Sequence, residues 1–347
     1  GGDDVGGGAD DVPAGGADDA PAVEVVAPVD AELGGPRWVG GLRWYAPLED
    51  GRVLSSSTAD GSTGLVLVDP TDPQAPPRPV PLELGGAPVT VVSQVVAGPG
   101  PSQAVVVAAS GRAEPTPVLL DLPPPASTPP SDGGRGRRAL PEPAAGAVGV
   151  RARVLRDGRD VGLAAEDISV PEPISFPSAG GRTAHAQLYR PANASTVGPA
   201  DERPPLVVMI HGGPTSAARP MLDLRTQYWT TRGFAVVDVD YGGSTGYGRP
   251  YRRLLDGAWG VVDVEDCTAA ARHLADSDVV DGDRMVIRGG SAGGFTTLAV
   301  LCSGDTFAAG TSLYGVADLE ALARDTHKFE ARYTDGLVGR WPEDETT

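Results

Sequence analysis

Cysteine is almost absent from the chain. Cys267 and Cys302 are the only two, and without CxxC spacing or a dense framework they exclude a disulfide scaffold and a cysteine zinc site. A reducing, cytoplasmic setting is the default that follows. Positive charge is scarce as well: Lys328 is the single lysine among 28 Lys and Arg, set against 46 Asp and Glu, for a formal net charge of −18. A nucleic-acid partner needs a basic surface, so that class is excluded and the acidity is assigned to solubility. Long apolar runs are missing too. No stretch of 18 apolar residues occurs, nor a basic segment followed by an apolar one at the start, so neither membrane insertion nor export is written here. A leader upstream of residue 1 stays compatible with this.

What is present is length and turn formers. At 347 residues, with 40% apolar composition, 48 Gly and 34 Pro, the chain has material for two globular domains joined by many turns. Residues 1–22 are Gly, Asp and Ala with almost no apolar anchor, and read as a solvated loop or tail; their Asp cluster lacks the spacing and terminal Glu of an EF-hand. From about 36 to 125 short β-rich runs are split by turn signals, as in Arg43–Leu48, Val53–Ser57 and Leu65–Asp69. The pattern recurs. Val53–Ser57 with Val66–Asp69 is echoed by Val105–Ala109 with Val118–Asp121, both displaced by 52 residues. A period near 50 built of hairpins marks β-propeller blades, with a Val-rich β-sandwich as the competing reading. Residues 123–146, rich in Pro, Gly and Arg, read as a loop insert.

After Pro171 the character changes. Ile174–Phe176 and Ala184–Tyr189 predict a hairpin, and from there strands alternate with helices: strand Leu206–Ile210, helix Met221–Arg232, strand Phe234–Val239, helix Val264–Leu274, strand Met285–Arg288, helix Ala292–Cys302 and strand Ala308–Leu313. The wholly apolar Leu206–Ile210 is expected of a parallel strand buried on both faces. The first helix is expected to turn Leu224, Tyr228 and Trp229 inward and to stop at Gly233; the second turns Val264, Cys267, Ala271 and Leu274 inward. This alternation predicts a doubly wound, mostly parallel sheet. The expected division is a tail at 1–29, about two propeller blades at 30–165 and an α/β domain at 166–347.

Two motifs carry chemistry. Gly289-Gly290-Ser291-Ala292-Gly293 lies between a predicted strand and a predicted helix, the setting of a nucleophile elbow. Such a turn strains the serine and exposes its hydroxyl, and a Cβ at Gly289 or Gly293 would collide with the neighbouring strand or helix. A Gly-rich strand-to-helix turn without chemistry is the bland alternative. The second motif, His211-Gly212-Gly213-Pro214, follows a buried strand, and its second Gly stands 78 residues before Ser291. Acyl transfer develops an oxyanion that fixed backbone N–H groups must meet, and Gly213 and Ala292 are the candidates. His211 is expected to orient that loop rather than act as base, because in this fold the base follows the nucleophile and the acid in the chain. His273 reads as a helix C-terminal dipole partner, His185 as part of the hairpin and His327 as a structural or substrate-side residue. The glycine-rich loop Gly242–Gly248 is neither GxGxxG nor a P-loop, and reads as structural.

Taken together, SVPEPISF (169–176), HGGPTS (211–216), YGGSTGYG (241–248), WGVVDVED (259–266), RGGSAGG (288–294) and YGVADLEALARDTHKFE (314–330) resemble the prolyl oligopeptidase family of serine peptidases, in its acylaminoacyl-peptidase and dipeptidyl-aminopeptidase-like branch. The resemblance covers most of residues 30–345. It implies an α/β-hydrolase sheet, truncated at its C-terminus and preceded by the last blades of a β-propeller that screens the active site from all but short peptides. It implies Ser291 as nucleophile, with Gly213 and Ala292 as oxyanion hole. The family's Asp and His would lie beyond residue 347, which makes the sequence a fragment expected to be inactive alone.

The expected function is hydrolysis of short peptides near their N-terminus through an acyl-enzyme on Ser291, supported around the motifs by His211, Gly212, Gly289 and Gly293, with no metal and no organic cofactor. The expected partner is the peptide substrate, with a homo-oligomer left open, and no nucleic acid and no membrane. A carboxylesterase of the same fold and a noncatalytic propeller-containing binding protein are the rival readings.

Overall fold

The structure, a computed structural model, describes residues 29–35, 40–72, 74–125, 147–328 and 330–344. The acidic stretch 1–22 and most of the Pro-, Gly- and Arg-rich stretch 123–146 lie outside the described residues. The first half forms two antiparallel sheets. One has the order β1 (Tyr45–Pro47), β2 (Val53–Ala59), β3 (Ser62–Val68), β4 (Arg78–Pro79). The other runs β5 (Glu83–Leu84), β6 (Ala87–Ala97), β7 (Gln103–Ser110), β8 (Ala113–Asp121), β9 (Arg151–Val154).

Local chemistry sets these hairpins. Asp60 and Gly61 join β2 to β3 with φ of 48° and 71°, the left-handed pair that matches the twist of a two-residue hairpin. Alternate residues then point inward. Leu54, Leu65, Leu67, Val95, Ala104, Val106, Val118 and Leu120 meet in one apolar core shared by both sheets, where burying each Leu or Val contributes about 1.5–3 kcal/mol. The segments that repeat at 52 residues form β2–β3 in one sheet and β7–β8 in the other. Successive antiparallel meanders are the blades that the period indicated.

The second half is a six-stranded mixed sheet of order β10 (Glu172–Pro177), β11 (Thr183–Tyr189), β13 (Ala235–Asp240), β12 (Leu206–Ile210), β14 (Met285–Gly290), β15 (Ala309–Leu313). The hairpin β10–β11 and the β11–β13 pair are antiparallel, and the remaining pairs are parallel. Register puts Leu188, Val237, Val208 and Ile287 in one row across the sheet and Tyr189, Val236, Val207 and Val286 in the next. These rows face opposite sides, so both faces need cover. Helices α3 (Val262–Asp276) and α4 (Ala292–Ser303) cover the first with Cys267, Ala271, Leu274 and Val300. Helix α1 (Leu224–Thr230) covers the second, with Trp229 half-buried beside Met209 and Phe234. Short helix α2 (Gly248–Arg252) lies between β13 and α3, and α5 (Leu319–Asp325) and α6 (Tyr333–Leu337) follow β15. Among the described residues no helix is long and apolar enough to cross a membrane.

Helix α1 departs from expectation. It is shorter than Met221–Arg232, starting where the Asp223 side chain accepts from Arg225 N at 2.8 Å, and ending before Gly233 at φ 86°. Its buried face is Thr226, Gln227 and Thr230, while Tyr228 is 52% exposed and Leu224 only half-buried. The cause is a backbone need. Gln227 donates to Ser169 O at 2.9 Å and accepts from Ser169 N at 2.8 Å, satisfying a buried segment that no strand pairs. In α3, Cys267, Ala271 and Leu274 are buried as expected and Val264 is half-buried, but Asp263 and Asp266 are buried with them.

Candidate active site

Four parallel strands end on one side of the sheet, and the turns that leave β12 and β14 there are glycine-rich because their backbones touch. Ser291 sits between β14 and α4 with φ 55° and ψ −120°, a strained left-handed conformation for a residue with a Cβ. Its side chain faces out: the residue is exposed, while Ala292, Gly293 and Gly294 behind it are buried. The closeness of the turn is measurable at its glycines. A Cβ on Gly289 would lie 2.2 Å from Gly293 O in α4, and one on Gly293 would lie 2.5 Å from Ile210 O at the end of β12. Only hydrogen fits at either position. Ala292 begins α4, so its N–H has no acceptor within the helix and points with the positive end of the dipole toward the serine turn.

The loop after β12 closes on the same turn. A Cβ on Gly212 would lie 3.1 Å from Gly290 O and 3.5 Å from Ser291 Cβ, so His211–Pro214 packs directly against the serine. Gly213 is left-handed at φ 57°, and its carbonyl accepts from Ser216 N at 2.6 Å. Beyond it, Thr215 shares a 2.7 Å hydrogen bond with the Tyr333 hydroxyl. On the far side of Gly290, the ring of Tyr314 approaches to 2.9 Å of where a Cβ would stand, although Tyr314 itself is 83% exposed. Ser291 therefore lies in a cleft whose walls are the 211–216 loop and Tyr314.

His211 does not reach toward Ser291 as a base. Its Nε2 pairs with the Ser244 hydroxyl at 2.8 Å, its Nδ1 with Gly212 O at 3.2 Å, and its ring stacks on Tyr241 at 4.5 Å. With Nδ1–H donating to the carbonyl, Nε2 is left as the acceptor for Ser244. Burial lowers its pKa to about 4, opposed by the Gly212 carbonyl, so the ring is neutral at pH 7. The other histidines are engaged elsewhere. His185 stacks on Tyr247 at 4.2 Å and pairs with Ser175 at 2.8 Å; His273, in the last turn of α3, stacks on Phe176; exposed His327 lies 3.7 Å from Glu330.

Sequence reasoning passed over the partners that hold these loops. Ser244 is wholly buried in the loop read only as structural. Asp240, at the end of β13, accepts from Ala218 N at 2.7 Å and from the Tyr247 hydroxyl at 2.8 Å, and desolvation pushes its pKa up to about 7. Asp266 accepts from Gly242 N at 2.7 Å and Arg182 at 3.2 Å, and Asp263 accepts from Gly260 N at 2.6 Å and Thr296 at 2.5 Å. The signal was available: acids at the end of an apolar strand and on the inner face of a helix are retained only where donors wait for them.

A mixed sheet with a strained serine on a strand-to-helix turn, faced by a glycine loop from the neighbouring strand, defines the α/β-hydrolase fold, and the two blade-like antiparallel sheets that precede it in the chain make the architecture a partial propeller joined to that fold. Residues 220–346 match the model of the prolyl oligopeptidase family, and to that family the chain's resemblance is borne out. It is 31% identical over 175 residues to dipeptidyl aminopeptidase BIII of Pseudoxanthomonas mexicana, covering 49% of this chain and 25% of that one. It is 30% identical over 149 residues to the acylamino-acid-releasing enzyme of Arabidopsis thaliana, covering 38% and 20%. A crystal structure of puromycin hydrolase superimposes with a TM-score of 0.76 at 38% identity, over 92% of this chain and 44% of that one. The chain thus spans between a fifth and under half of the length of these relatives.

Proposed function

We propose that these residues form part of a serine peptidase that cleaves short peptides near their N-terminus. Ser291 Oγ attacks the scissile carbonyl, and the amides of Gly213 and Ala292 receive the oxyanion; one such donor is worth about 3 kcal/mol in the transition state. The triad His, assigned to residues outside this sequence, takes the Ser291 proton and passes it to the departing amine as the C–N bond breaks; the acyl-enzyme left on Ser291 is hydrolysed by water, which releases the carboxylic acid and returns the proton to the serine. The observation that carries this reading is the packing of Gly212 against Gly290 and Ser291, which brings two separate amide-bearing segments to one exposed hydroxyl. A hydrolase whose glycine loop served only the fold would have no reason to hold a strained serine outward.

The triad's Asp and His are assigned to residues outside this sequence. All four histidines of the chain are committed to other partners or lie on an exposed turn, so these 347 residues alone are expected not to turn over substrate. The relatives' names point the same way, to aminopeptidase and acylamino-acid release, and puromycin becomes a candidate substrate for the enzyme that carries this chain. The test is an assay of that enzyme on a dipeptidyl anilide, an N-acyl-aminoacyl anilide, puromycin and a short-chain ester. Hydrolysis of an amide substrate is expected; turnover of the ester alone would replace the peptidase by a carboxylesterase.

A further inference from the structure

The loop at 241–248 touches both halves of the molecule. On one side it holds the cleft: Ser244 donates to His211 Nε2 at 2.8 Å, and Thr245 N donates to Ser216 O at 2.8 Å. On the other it is gripped by the first antiparallel sheet. Gly246 N donates to Glu32 Oε2 at 3.0 Å, while its carbonyl accepts from Gly61 N at 3.3 Å. Both backbone groups of one glycine are thereby taken by residues of the other half, and Gly246 has φ 97°, with Thr58 Cγ2 3.2 Å from where a Cβ would be.

Glu32 is itself fixed. Its backbone exchanges two hydrogen bonds of 2.9 Å with Thr58 at the end of β2, and its other carboxylate oxygen lies 3.6 Å from Arg252 at the end of α2. Glu32 therefore belongs to the first sheet by its backbone and to the hydrolase half by its side chain. Charge-assisted bonds of this kind are stronger than neutral ones and directional.

From this we infer that Glu32 is a positioning residue for the oxyanion loop, acting through Gly246, Ser244 and His211. The path is short: Gly246 is two residues from Ser244, Ser244 bonds His211, and His211 is followed by Gly212 and Gly213, which border Ser291. The first sheet then does more than screen the cleft; it sets the place of a catalytic amide. This rests on the hydrolytic reading above for its kinetic consequence, and on geometry alone for its structural one.

Two readouts test it in the enzyme carrying these residues. In steady-state hydrolysis of a dipeptidyl anilide, Glu32→Ala is expected to lower kcat about tenfold with KM within about twofold, because a displaced oxyanion donor costs the transition state and not ground-state binding. Glu32→Gln keeps an oxygen to accept from Gly246 N and is expected to stay within about threefold of wild type. In amide hydrogen exchange at unchanged melting temperature, Glu32→Ala is expected to speed exchange at Gly246 and also at Gly212 and Gly213. Faster exchange confined to Gly246, or an unaltered kcat, overturns the inference. Should Glu32→Ala not fold, Glu32→Asp, which withdraws the carboxylate by one methylene, takes its place with the same expectations. An unlabelled Ser291 in a fluorophosphonate experiment would remove the hydrolytic reading, and exchange at residues 212 and 213 would still decide the coupling.

Discussion

The two halves of the molecule bury different things. The antiparallel half closes over an apolar core of Leu, Val and Ala, and its buried polar side chains among the described residues are Arg52 and the hydroxyls of Ser55, Ser56, Ser110 and Thr116, whereas the mixed-sheet half also buries the carboxylates Asp240, Asp263 and Asp266 with Ser244 and Gln227, each answered by a named donor or acceptor. Apolar packing is non-directional and fixes shape; buried hydrogen bonds fix particular atoms in place. The difference teaches where the protein needs accuracy. Asp240, Asp266 and Ser244 tie down the loops that leave β12 and β13 beside Ser291, Gln227 holds the segment at Ser169, and among the described residues of the first half Asp50 with Arg52 at 2.6 Å ties a turn to Ser102 and Pro123.

Substitutions sharpen or break this contrast. The largest stability effect is expected at the elbow. Gly289→Ala forces a Cβ to within 2.2 Å of the α4 backbone, and should cost on the order of 4 kcal/mol by denaturant unfolding, since neither strand nor helix can yield cheaply. The matching change in the first half, Gly64→Ala in β3, meets nothing within 4 Å and should stay within about 0.5 kcal/mol. Equal losses at the two sites would erase the distinction between the halves.

Next comes Leu120→Ala in the apolar core, fully buried in the wild type. A loss of about 3 kcal/mol is expected, from removed methyl groups and the cavity left behind. Activity per folded molecule should be unchanged, because no hydrogen bond to the cleft is touched. A fall in kcat at constant folded fraction would mean that the apolar core, too, sets the catalytic geometry.

A smaller effect is expected from pH. The His211 pKa is lowered from 6.5 to about 4 by burial, so as pH falls below about 6.5 the unfolded chain gains a proton that the folded chain refuses until about 4. The neutral ring's contribution to stability is thus complete above about 6.5 and lost as the solution is acidified through that window. Comparison with His211→Asn should show a shallower acid dependence over this interval, and the imidazole resonance of the wild type should not titrate between pH 5 and 8. Titration near 6.5 would place the ring in solvent and release the 211–216 loop from Ser244.

Much of this was legible in the residues. The elbow and HGGP could be read because both depend on glycine: a Cβ would collide at Gly289 and Gly293 and crowd Gly290 O at Gly212, while Gly213 takes a left-handed φ of 57°, constraints that leave their mark on composition. The parallel strands were legible because burial on both faces removes polar residues, and the blades because hairpins repeat. The inner face of α1 was legible only in part. Periodicity chose the large apolar residues Leu224, Tyr228 and Trp229, of which Trp229 packs on the sheet, while the fold buried Gln227, whose task is set by the unpaired backbone of Ser169, 58 residues away. Ser244 escaped for a similar reason: a small hydroxyl in a glycine loop carries no periodic signal, and its partner His211 is fixed only by the tertiary fold. What sequence pattern misses here is polar burial between segments distant along the chain.

The central claim is that Ser291 is a nucleophile facing an oxyanion hole, and the direct measurement is covalent labelling of the enzyme carrying this chain by a fluorophosphonate, read by mass spectrometry of the modified peptide. Stoichiometric modification at Ser291, abolished by Ser291→Ala with an unchanged melting temperature, is the result predicted. An unmodified Ser291 in an enzyme that nevertheless hydrolyses peptides, or modification at another serine, would contradict it.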